Sequence, residues 1–335
     1  MGDVVDVVKE ATAVGFPSYE ESSKRAEEYA FNALAHNTYR AYGADWANFM
    51  DWLEGVGLVC PIPAEPVPEE WLCAFYAHLA EKGRKVSSIA RTHVAISWVH
   101  RHFDLADRNP TRGAKARKVL NGIKKSKTVR KDKKKALSPS DVKAMIAAMP
   151  DSLLGLRDKA ILLMGMLGGM RRSEIAALRV SDIQFREEGV AVMIRSSKTD
   201  QAGEGFVLGL ATSENPDTCP KRTLREWLKL SRRSGDQYLF CGFSGANTIR
   251  SDQPIRSELI GRIVKRCVER IGKDSSIYSA HSLRRGAATA AFDANVPEVL
   301  IMRKFRWKSA DIMREYIEEK QVFDDSMNMT AKMGF

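Results

Sequence analysis

The sequence predicts a mainly α-helical protein of two domains, with a small antiparallel β-sheet in the second domain. The chain has 335 residues, which is longer than one hydrophobic core usually serves. Apolar residues recur at helical spacing over most of the chain, whereas the stretch from about 183 to 210 alternates as strands do. Near the middle, SKTVRKDKKK has almost no apolar residue and predicts a linker.

The first domain is expected to be all-helical and to span residues 20–126, after a mobile arm at 1–19. Its helices are expected at about 19–56, 68–82, 87–103 and 112–125. Asn37 or Thr38 is the expected N-cap in the first of these, and Ser87 or Ser88 that of the third. The proline-rich segment CPIPAEPVP predicts the loop between the first two helices. The linker follows at 127–137.

The second domain, 138–335, is expected to open with a strong helix start at Ser138, because Pro139 and Asp141 follow it. Gly168 and Gly169 are expected to separate the next helix from the one that RRSEIAAL begins. The helices are expected at about 139–148, 154–168, 219–231 and 257–272, and the strands at 183–185, 190–194 and 206–210. Further helices are expected within 281–316, and residues from about 320 form a C-terminal tail.

Charge is distributed unevenly along the chain, whose net charge is +11 and pI about 9.4. Residues 1–81 have 4 Lys and Arg against 14 Asp and Glu, whereas residues 82–135 have 18 against 3. Acidic residues spread over several helices are expected to be a solvated surface. The basic block is too dense for that interpretation, because like charges repel one another unless a polyanion neutralises them. The sequence therefore favours a polyanionic partner.

Several classes of protein are disfavoured. No apolar run approaches the ~20 residues of a membrane span, and the N-terminus lacks the features of a secretory signal. The five cysteines are dispersed, without a CxxC pair. They are expected to be reduced thiols of a cytoplasmic protein. The sequence shows no P-loop or acidic cluster that would indicate a bound nucleotide or metal.

The stretch from His281 to Tyr316 groups polar residues between apolar runs of helical spacing. Arginine forks match phosphate oxygens, an imidazole can donate a hydrogen bond or move a proton, and a phenol can attack phosphorus. These residue types suggest chemistry on a phosphodiester. The alternative from this stretch alone is three helices with a core histidine and a surface arginine pair.

Separate motifs then occur in a characteristic order. They are Arg171 and Glu174 in GMRRSE, Lys198 in SKTD, His281 and Arg284 in HSLR, Trp307 in RWKS, and Tyr316 nine residues later. This order resembles the tyrosine recombinase (phage integrase) family. Trp307 stands where most of these proteins have a second histidine, which resembles the Cre-like subgroup. NTYRAYGADW and GRKVSSIARTHVA are also similar to that subgroup. The chain departs from the pattern at Arg306, where many relatives have glycine.

The resemblance implies a helical core-binding domain and an α+β catalytic domain that form a C-shaped clamp on DNA. It implies site-specific cleavage through a 3′-phosphotyrosyl bond to Tyr316, without metal or ATP, and strand exchange through a Holliday junction. Arg171 and Arg284 would clamp the phosphate and His281 would assist proton transfer. By the same resemblance, Lys198 would protonate the leaving oxygen, Trp307 would donate its indole N–H, and Glu174 would orient its cationic neighbours.

Neighbouring residues offer alternative assignments. Arg172 could replace Arg171 as the clamp, but the pattern Arg-x-Ser-Glu selects Arg171. HxxR spacing likewise selects Arg284 over Arg285. Tyr278 is a rival nucleophile by its proximity to HxxR, although packing or a phosphate contact suits it better.

The expected partner is double-stranded DNA with an inverted-repeat target site. A homotetramer is expected to bind two such duplexes, and the DNA-bound protein is expected to be associated with the nucleoid. The residues expected to contact DNA are Arg40, Lys82, Ser87, Ser88, Arg91, Lys131, Lys133, Arg172, Arg256, Ser257 and Arg285. The tail, about 320–335, is expected to dock on a neighbouring protomer. The alternatives are a type IB topoisomerase, a telomere resolvase, and a non-catalytic DNA-binding regulator.

Overall fold

The computed structural model describes residue 25 and residues 36–127, 134–195, 205–307, 309, 310, 313 and 333. The chain divides into two compact units, Met1–Lys131 and Asp132–Phe335. The division lies within the linker predicted at 127–137. The predicted N-terminal arm and most of the C-terminal tail are outside the described residues. None of the helices in the described ranges has both the length and the apolar character of a membrane span.

The first unit is helical throughout its described part. Its helices are α1 (His36–Gly55), α2 (Glu69–Glu81), α3 (Val86–His102) and α4 (Ala114–Ser126). The core lies between all four helices. The rings of Phe49 in α1 and Phe75 in α2 are both buried there, with centroids 5.0 Å apart. Asn37 and Thr38 lie inside α1, so the predicted cap at these residues is wrong. In α3 the N-cap is Lys85, one residue before the helix and two before Ser87.

The second unit contains seven described helices and five strands. They are α5 (Pro139–Ala147), α6 (Leu153–Leu167), α7 (Arg172–Ala177), β1 (Ile183–Phe185), β2 (Gly189–Ile194), β3 (Phe206–Ala211), α8 (Pro220–Ser231), β4 (Cys241–Phe243), β5 (Ile249–Pro254), α9 (Ser257–Arg270), α10 (Ala280–Asp293) and α11 (Glu298–Phe305). The predicted fold class, mainly α with a small antiparallel sheet in the second domain, is confirmed.

The sheet has the order β1-β2-β3, with both neighbouring pairs antiparallel. Val190, Val192 and Ile194 of β2 are buried, as their alternation predicts. The hairpin of β4 and β5 was not expected from the sequence. Its residues, CGFSGANTIRSDQP, are rich in Gly, Ser, Asn and Asp, and β4 has only three residues, so the segment resembles a loop.

Local signals set the ends of the two helices that precede the site. Ser138 caps α5, with a reciprocal capping box to Asp141, as predicted. α6 is buried along most of its length, and Gly168 is its C-cap. Gly169 has a φ of 55°, a conformation that glycine adopts without steric cost. A Cβ there would also overlap the Phe305 ring, so only glycine fits this turn.

Candidate active site

Arg171 and Glu174 lie at the start of α7, directly after the turn that ends α6. Glu174 is 5% exposed and accepts two hydrogen bonds from Arg171. The backbone N–H of Arg171 donates to Oε2 at 2.9 Å, and Nη1 donates to Oε1 at 2.7 Å. Glu174 therefore caps the helix and orients the Arg171 side chain in one contact. The Arg171 side chain keeps 21% of its surface exposed.

Arg306 is a second partner of Glu174 that the sequence motifs did not assign to the site. Its Nη2 donates to Glu174 Oε2 at 2.5 Å. In the sequence Arg306 is distinctive only as a departure from glycine, because a contact across 132 residues leaves no local pattern. One buried carboxylate is thus shared by two guanidinium groups, which leaves this cluster with one net positive charge.

Arg284 projects from α10 into the interior and is 1% exposed. It donates hydrogen bonds to the backbone carbonyls of Gly169 and Phe305. Its guanidinium also lies 5.4 Å from the Phe305 ring centroid and 5.3 Å from that of Trp307. These contacts join the turn after α6, the end of α11 and the HxxR helix, so the position of Arg284 is fixed from three sides.

Trp307 follows α11 and packs on the same cluster. Its ring is stacked on Phe305, with centroids 5.1 Å apart and planes 20° apart, and the residue is 8% exposed. α11 ends in a left-handed residue at 306, which turns the chain so that the backbone N–H of Trp307 donates to the carbonyl of Met302. The structure thus brings Trp307 and Arg284 into contact.

His281 is the second residue of α10 and lies at the surface of this cluster. Loss of hydration to the surrounding protein lowers the pKa of its imidazole below the ordinary value. The positive charges of Arg284, Arg171 and Arg285, in decreasing order, lower this pKa further. The imidazole is therefore neutral near pH 7 and can accept a proton.

Arg285 and Tyr278 occupy structural positions. Arg285 is 8% exposed and its Nη1 donates to the backbone carbonyl of Lys134 at 3.0 Å. The expectation that Arg285 contacts DNA stays a prediction. Tyr278 is 2% exposed and belongs to the hydrophobic core of the unit. Its burial disfavours it as the rival nucleophile, because an attacking phenol must reach its substrate.

The chain segment before α5 is attached by hydrogen bonds to α10 and to the turn that precedes it. The N–H groups of Lys135 and Leu137 donate to the carbonyls of Ile277 and Ser282, at 2.9 and 3.1 Å. Gly286 allows this approach, since a Cβ there would overlap the carbonyl oxygen of Leu137. The entry segment therefore packs directly on the helix that carries the HxxR motif.

Other predicted site residues are divided between exposed positions and the undescribed part of the chain. Lys198, Tyr316, Lys131 and Lys133 lie outside the described residues, although Ile194 and Phe206, which flank the segment of Lys198, pair with each other. The expected DNA contacts that are exposed in the structure are Arg40, Lys82, Ser87, Arg91, Arg172 and Arg256, while Ser88 and Ser257 are half-buried.

In the first unit, Arg91 forms a two-point ion pair. Its Nε and Nη2 donate to the two carboxylate oxygens of Asp45, at 2.7 and 2.9 Å. Asp45 belongs to α1 and Arg91 to α3, so the pair joins the two helices that carry Arg40, Ser87 and Ser88, which are expected to contact DNA. The pair leaves the outer edge of the guanidinium available, because a side-on contact occupies only one of its edges.

Comparison with known proteins identifies relatives over most of the chain. The model of the phage integrase family matches residues 135–321. An integrase/recombinase XerD homologue of Selenomonas ruminantium is 30% identical over 314 residues, which cover 92% of this chain and 89% of that protein.

Solved structures are similar in fold. A XerH site-specific recombinase, bound to a palindromic difH substrate in a post-cleavage complex, matches with a TM-score of 0.63 and 15% identity. That match covers 86% of this chain and 78% of the other. The Tn1549 transposon integrase in complex with transposon right end DNA matches with a TM-score of 0.58 and 14% identity, covering 90% and 98%.

Proposed function

This chain belongs to the phage integrase family and is a tyrosine recombinase, an enzyme of site-specific DNA cleavage and rejoining; we propose that Tyr316 is its nucleophile. The observation that supports the proposal is the grouping of Arg171, Arg284 and His281 around Glu174 and Trp307 in the second unit. Two guanidinium groups and a neutral imidazole suit a phosphodiester, and a tyrosine nucleophile removes the need for an activated cofactor.

Cleavage begins when the Tyr316 oxygen attacks the scissile phosphorus. The P–O5′ bond breaks, and the new bond joins the phosphorus, with the 3′ strand, to Tyr316. The phenol proton passes to His281, whose lowered pKa keeps it neutral and able to accept. Lys198 donates a proton to the departing 5′ oxygen. A lysine suits this step because its ammonium can lose a proton, whereas an arginine stays charged.

The phosphate charge is met by Arg171 and Arg284. A guanidinium fixed before the reaction stabilises developing negative charge without reorganisation. Arg284 is held by the carbonyls of Gly169 and Phe305, and Arg171 by Glu174. Trp307 donates its indole N–H to the same phosphate. In the rejoining step, a 5′-hydroxyl attacks the phosphotyrosyl bond and releases Tyr316, so the energy of the phosphodiester is conserved.

The proposed outcome is strand exchange between two duplexes. Four protomers bind two DNA sites with inverted repeats and pass through a Holliday junction. The XerH neighbour was solved with a palindromic substrate, which supports an inverted-repeat target for this chain. Relaxation of any supercoiled plasmid would instead favour a type IB topoisomerase, and binding without covalent capture would favour a DNA-binding regulator.

A groove in the second unit supports docking of the tail on a neighbouring protomer. The groove has a volume of about 470 Å³ and is lined mostly by apolar residues of α5, α6, β3, α10 and α11. Lys143 and Lys304 also line it. The tail carries Val322, Phe323, Met327 and Met333 at roughly helical spacing, with Asp324 and Asp325 beside them. An apolar and acidic segment suits an apolar groove that contains lysines.

Truncation after residue 320 tests this docking. Binding to a single DNA site should be unchanged, whereas the tetrameric complex on two duplexes should be lost. Tetramers that still form and recombine at the wild-type rate would mean that the tail packs on its own protomer.

Covalent capture tests the nucleophile and finds the target together. The full-length protein is incubated with sheared genomic DNA of its host and denatured in SDS, and the DNA that stays attached is sequenced. A recurrent sequence joined through its 3′ end is expected for the wild type and for the matched control Tyr278→Phe. Tyr316→Phe should bind DNA but give no adduct. Adducts that persist in Tyr316→Phe would overturn the assignment.

A further inference from the structure

Arg306 occupies an unusual position beside the Arg171–Glu174 pair. It ends α11 with a φ of 55° and a ψ of 46°, in the left-handed region. This conformation costs most residues free energy, and glycine is the usual choice for it. Arginine here therefore carries a local cost that its side chain must offset. Such departures from local preference are found mainly where function requires them.

The burial of Arg306 adds a second cost. Its side chain is 7% exposed, and its guanidinium carbon lies 5.5 Å from the Phe206 ring centroid. Among the described residues, its Nε and Nη1 are buried and have no hydrogen-bond partner. A buried guanidinium with incomplete hydrogen bonding is unfavourable. Within the described ranges, the Arg306 side chain donates one hydrogen bond, to Glu174. This bond is therefore the main contribution of the side chain.

The hydrogen bond from Arg306 restricts how the Glu174 carboxylate can pair with the Arg171 guanidinium. Glu174 Oε2 receives the backbone N–H of Arg171 and Nη2 of Arg306, while Oε1 receives one N–H of Arg171 Nη1. A carboxylate without Arg306 could instead bind the Arg171 guanidinium through both oxygens. That two-point pair would occupy two donors of Arg171 and neutralise its charge.

We propose that Arg306 is a positioning residue, which holds Glu174 so that the Arg171 guanidinium keeps its charge and its outward donors for the scissile phosphate. The inference rests on the proposed role of Arg171 in the cleavage reaction. It adds a third arginine to the site, one that acts through Glu174 and does not contact DNA. Arg171, Arg306 and Glu174 together carry a net charge of +1, whereas Arg171 and Glu174 alone would carry none.

Arg306→Gly is the direct test, because glycine removes the side chain and suits the left-handed backbone. The rate of covalent adduct formation is measured with full-length protein on the captured target site. Residues that orient metal ligands are typically worth about 10-fold to 100-fold, and a loss of similar size is expected for a residue that orients a catalytic arginine. Arg306→Lys keeps the positive charge with a less suitable geometry and should recover part of the rate. A wild-type rate for Arg306→Gly would overturn the proposal.

A neutral scissile group separates positioning from a general structural effect. With a methylphosphonate in place of the scissile phosphate, the charge that Arg171 meets is absent. The ratio of wild-type to Arg306→Gly rates should then fall toward one. An equal loss on both substrates would mean that the variant disturbs the fold, and would overturn the proposal.

Arg232 provides a matched control. It is also a left-handed arginine at the end of a helix, α8, but it is exposed and lies outside the site. Arg232→Gly should cleave both substrates at the wild-type rates. Arg171→Ala tests the underlying function separately: if it cleaves normally, the role of Arg171 fails, and the Arg306 proposal fails with it. If only Arg306→Gly cleaves normally, the role of Arg171 stands.

Discussion

Arg91 in the first unit and Arg157 in the second each form a 2.7 Å ion pair with an aspartate, but only one pair is reached by water. The Arg91 side chain is 49% exposed and that of its partner Asp45 is 10% exposed. Arg157 and Asp158 are each 2% exposed. The same kind of ion pair is therefore hydrated in the first unit and buried in the second. Breaking the buried pair should cost more unfolding free energy than breaking the exposed one.

The buried pair belongs to a hydrogen-bonded network within the second unit. Asp158 also accepts from Arg266 Nη2 at 2.5 Å, and Arg157 Nη1 donates to the carbonyl of Cys241 at 2.9 Å. Both members of the pair lie on α6, the helix that ends at the turn before Arg171. The comparison shows that the Arg157–Asp158 pair is held inside the second unit, whereas the Arg91–Asp45 pair keeps its guanidinium at the surface of the first unit.

The largest effect is expected from breaking the buried pair. Asp158→Ala would leave Arg157 charged in the core, which should cost about 3–5 kcal/mol of unfolding free energy. Hydrogen exchange of peptides from α6 and α9 in the full-length protein measures the loss. Asp217→Ala is the control, since Asp217 is 82% exposed and 3.8 Å from Lys159, and should change stability by less than about 0.5 kcal/mol. A similar loss of unfolding free energy in Asp158→Ala and Asp217→Ala would mean that the buried pair matters no more for stability than the exposed one.

A large kinetic effect is expected at Arg171. Arg171→Ala should lower the rate of adduct formation about 10²-fold to 10³-fold, because it removes a fixed donor to the phosphate. Arg172 is the adjacent residue and is exposed, so Arg172→Ala should leave the chemical step unchanged. Single-turnover cleavage at saturating protein separates this step from binding. If Arg172→Ala shows the larger loss of cleavage rate, Arg172 and not Arg171 binds the scissile phosphate.

A smaller effect on specificity is expected at Arg91. Asp45 holds one edge of the guanidinium, and the other edge can bind a guanine, which is worth about 1–3 kcal/mol of base discrimination. Arg91→Ala should therefore weaken binding to the target duplex more than binding to random DNA. Arg101, exposed on the last turn of the same helix, serves as the control: its removal should affect both duplexes equally. Equal losses for Arg91→Ala would reject base reading.

The smallest effect concerns pH and His100 in the first unit. This buried imidazole donates from Nδ1 to the carbonyl of Ile96 and accepts from the backbone N–H of Val67 at Nε2, so it is neutral in the folded state. Burial lowers its pKa below the ordinary value of about 6.5, and the hydrogen bond to Ile96 only partly opposes this. The folded state then binds fewer protons than the unfolded chain.

Neutral His100 therefore makes its full contribution to the free energy of unfolding above about pH 6.5. This contribution decreases as the pH falls toward the pKa of His100 in the folded state, by at most about 1.4 kcal/mol per pH unit. Unfolding of the first unit at several pH values should show a smaller slope for His100→Gln. His102 is exposed, so His102→Gln should keep the wild-type slope. His93 retains part of the slope in both variants, because desolvation, followed by Lys124 and Arg117, lowers its pKa as well. An unchanged slope in His100→Gln would exclude His100 as the source.

The features that the sequence predicts well depend on local signals. The Ser138 cap, the Gly168–Gly169 break and the β2–β3 pair each follow from neighbouring residues or from a period of two. The family follows from the order of its motifs. The Cre-like subgroup stays a prediction, because the matching relatives include a XerD homologue and the solved structures show similarity of fold alone.

The features that the sequence did not predict depend on distant contacts. Arg285 is adjacent to Arg284 and looks equally basic, but the carbonyl of Lys134, 151 residues away, accepts its hydrogen bond. Asp45 and Arg91 are 46 residues apart. Arg306 has a left-handed backbone at the end of α11, but its residue type does not signal this conformation, and its partner Glu174 lies 132 residues away. Long-range hydrogen bonds and burial of this kind are decided by tertiary structure.

The attachment of residues 134–137 to α10 has a consequence for protein engineering. A chimeric recombinase needs a fusion boundary at which a foreign DNA-binding module replaces the first unit. The sequence alone places that boundary at Ser138, but a join there would delete the hydrogen bonds that Lys135 and Leu137 make with the HxxR helix and its approach. Gly286 would then lose the backbone of Leu137 that packs against it. The transferable catalytic cassette therefore begins at or before Lys134.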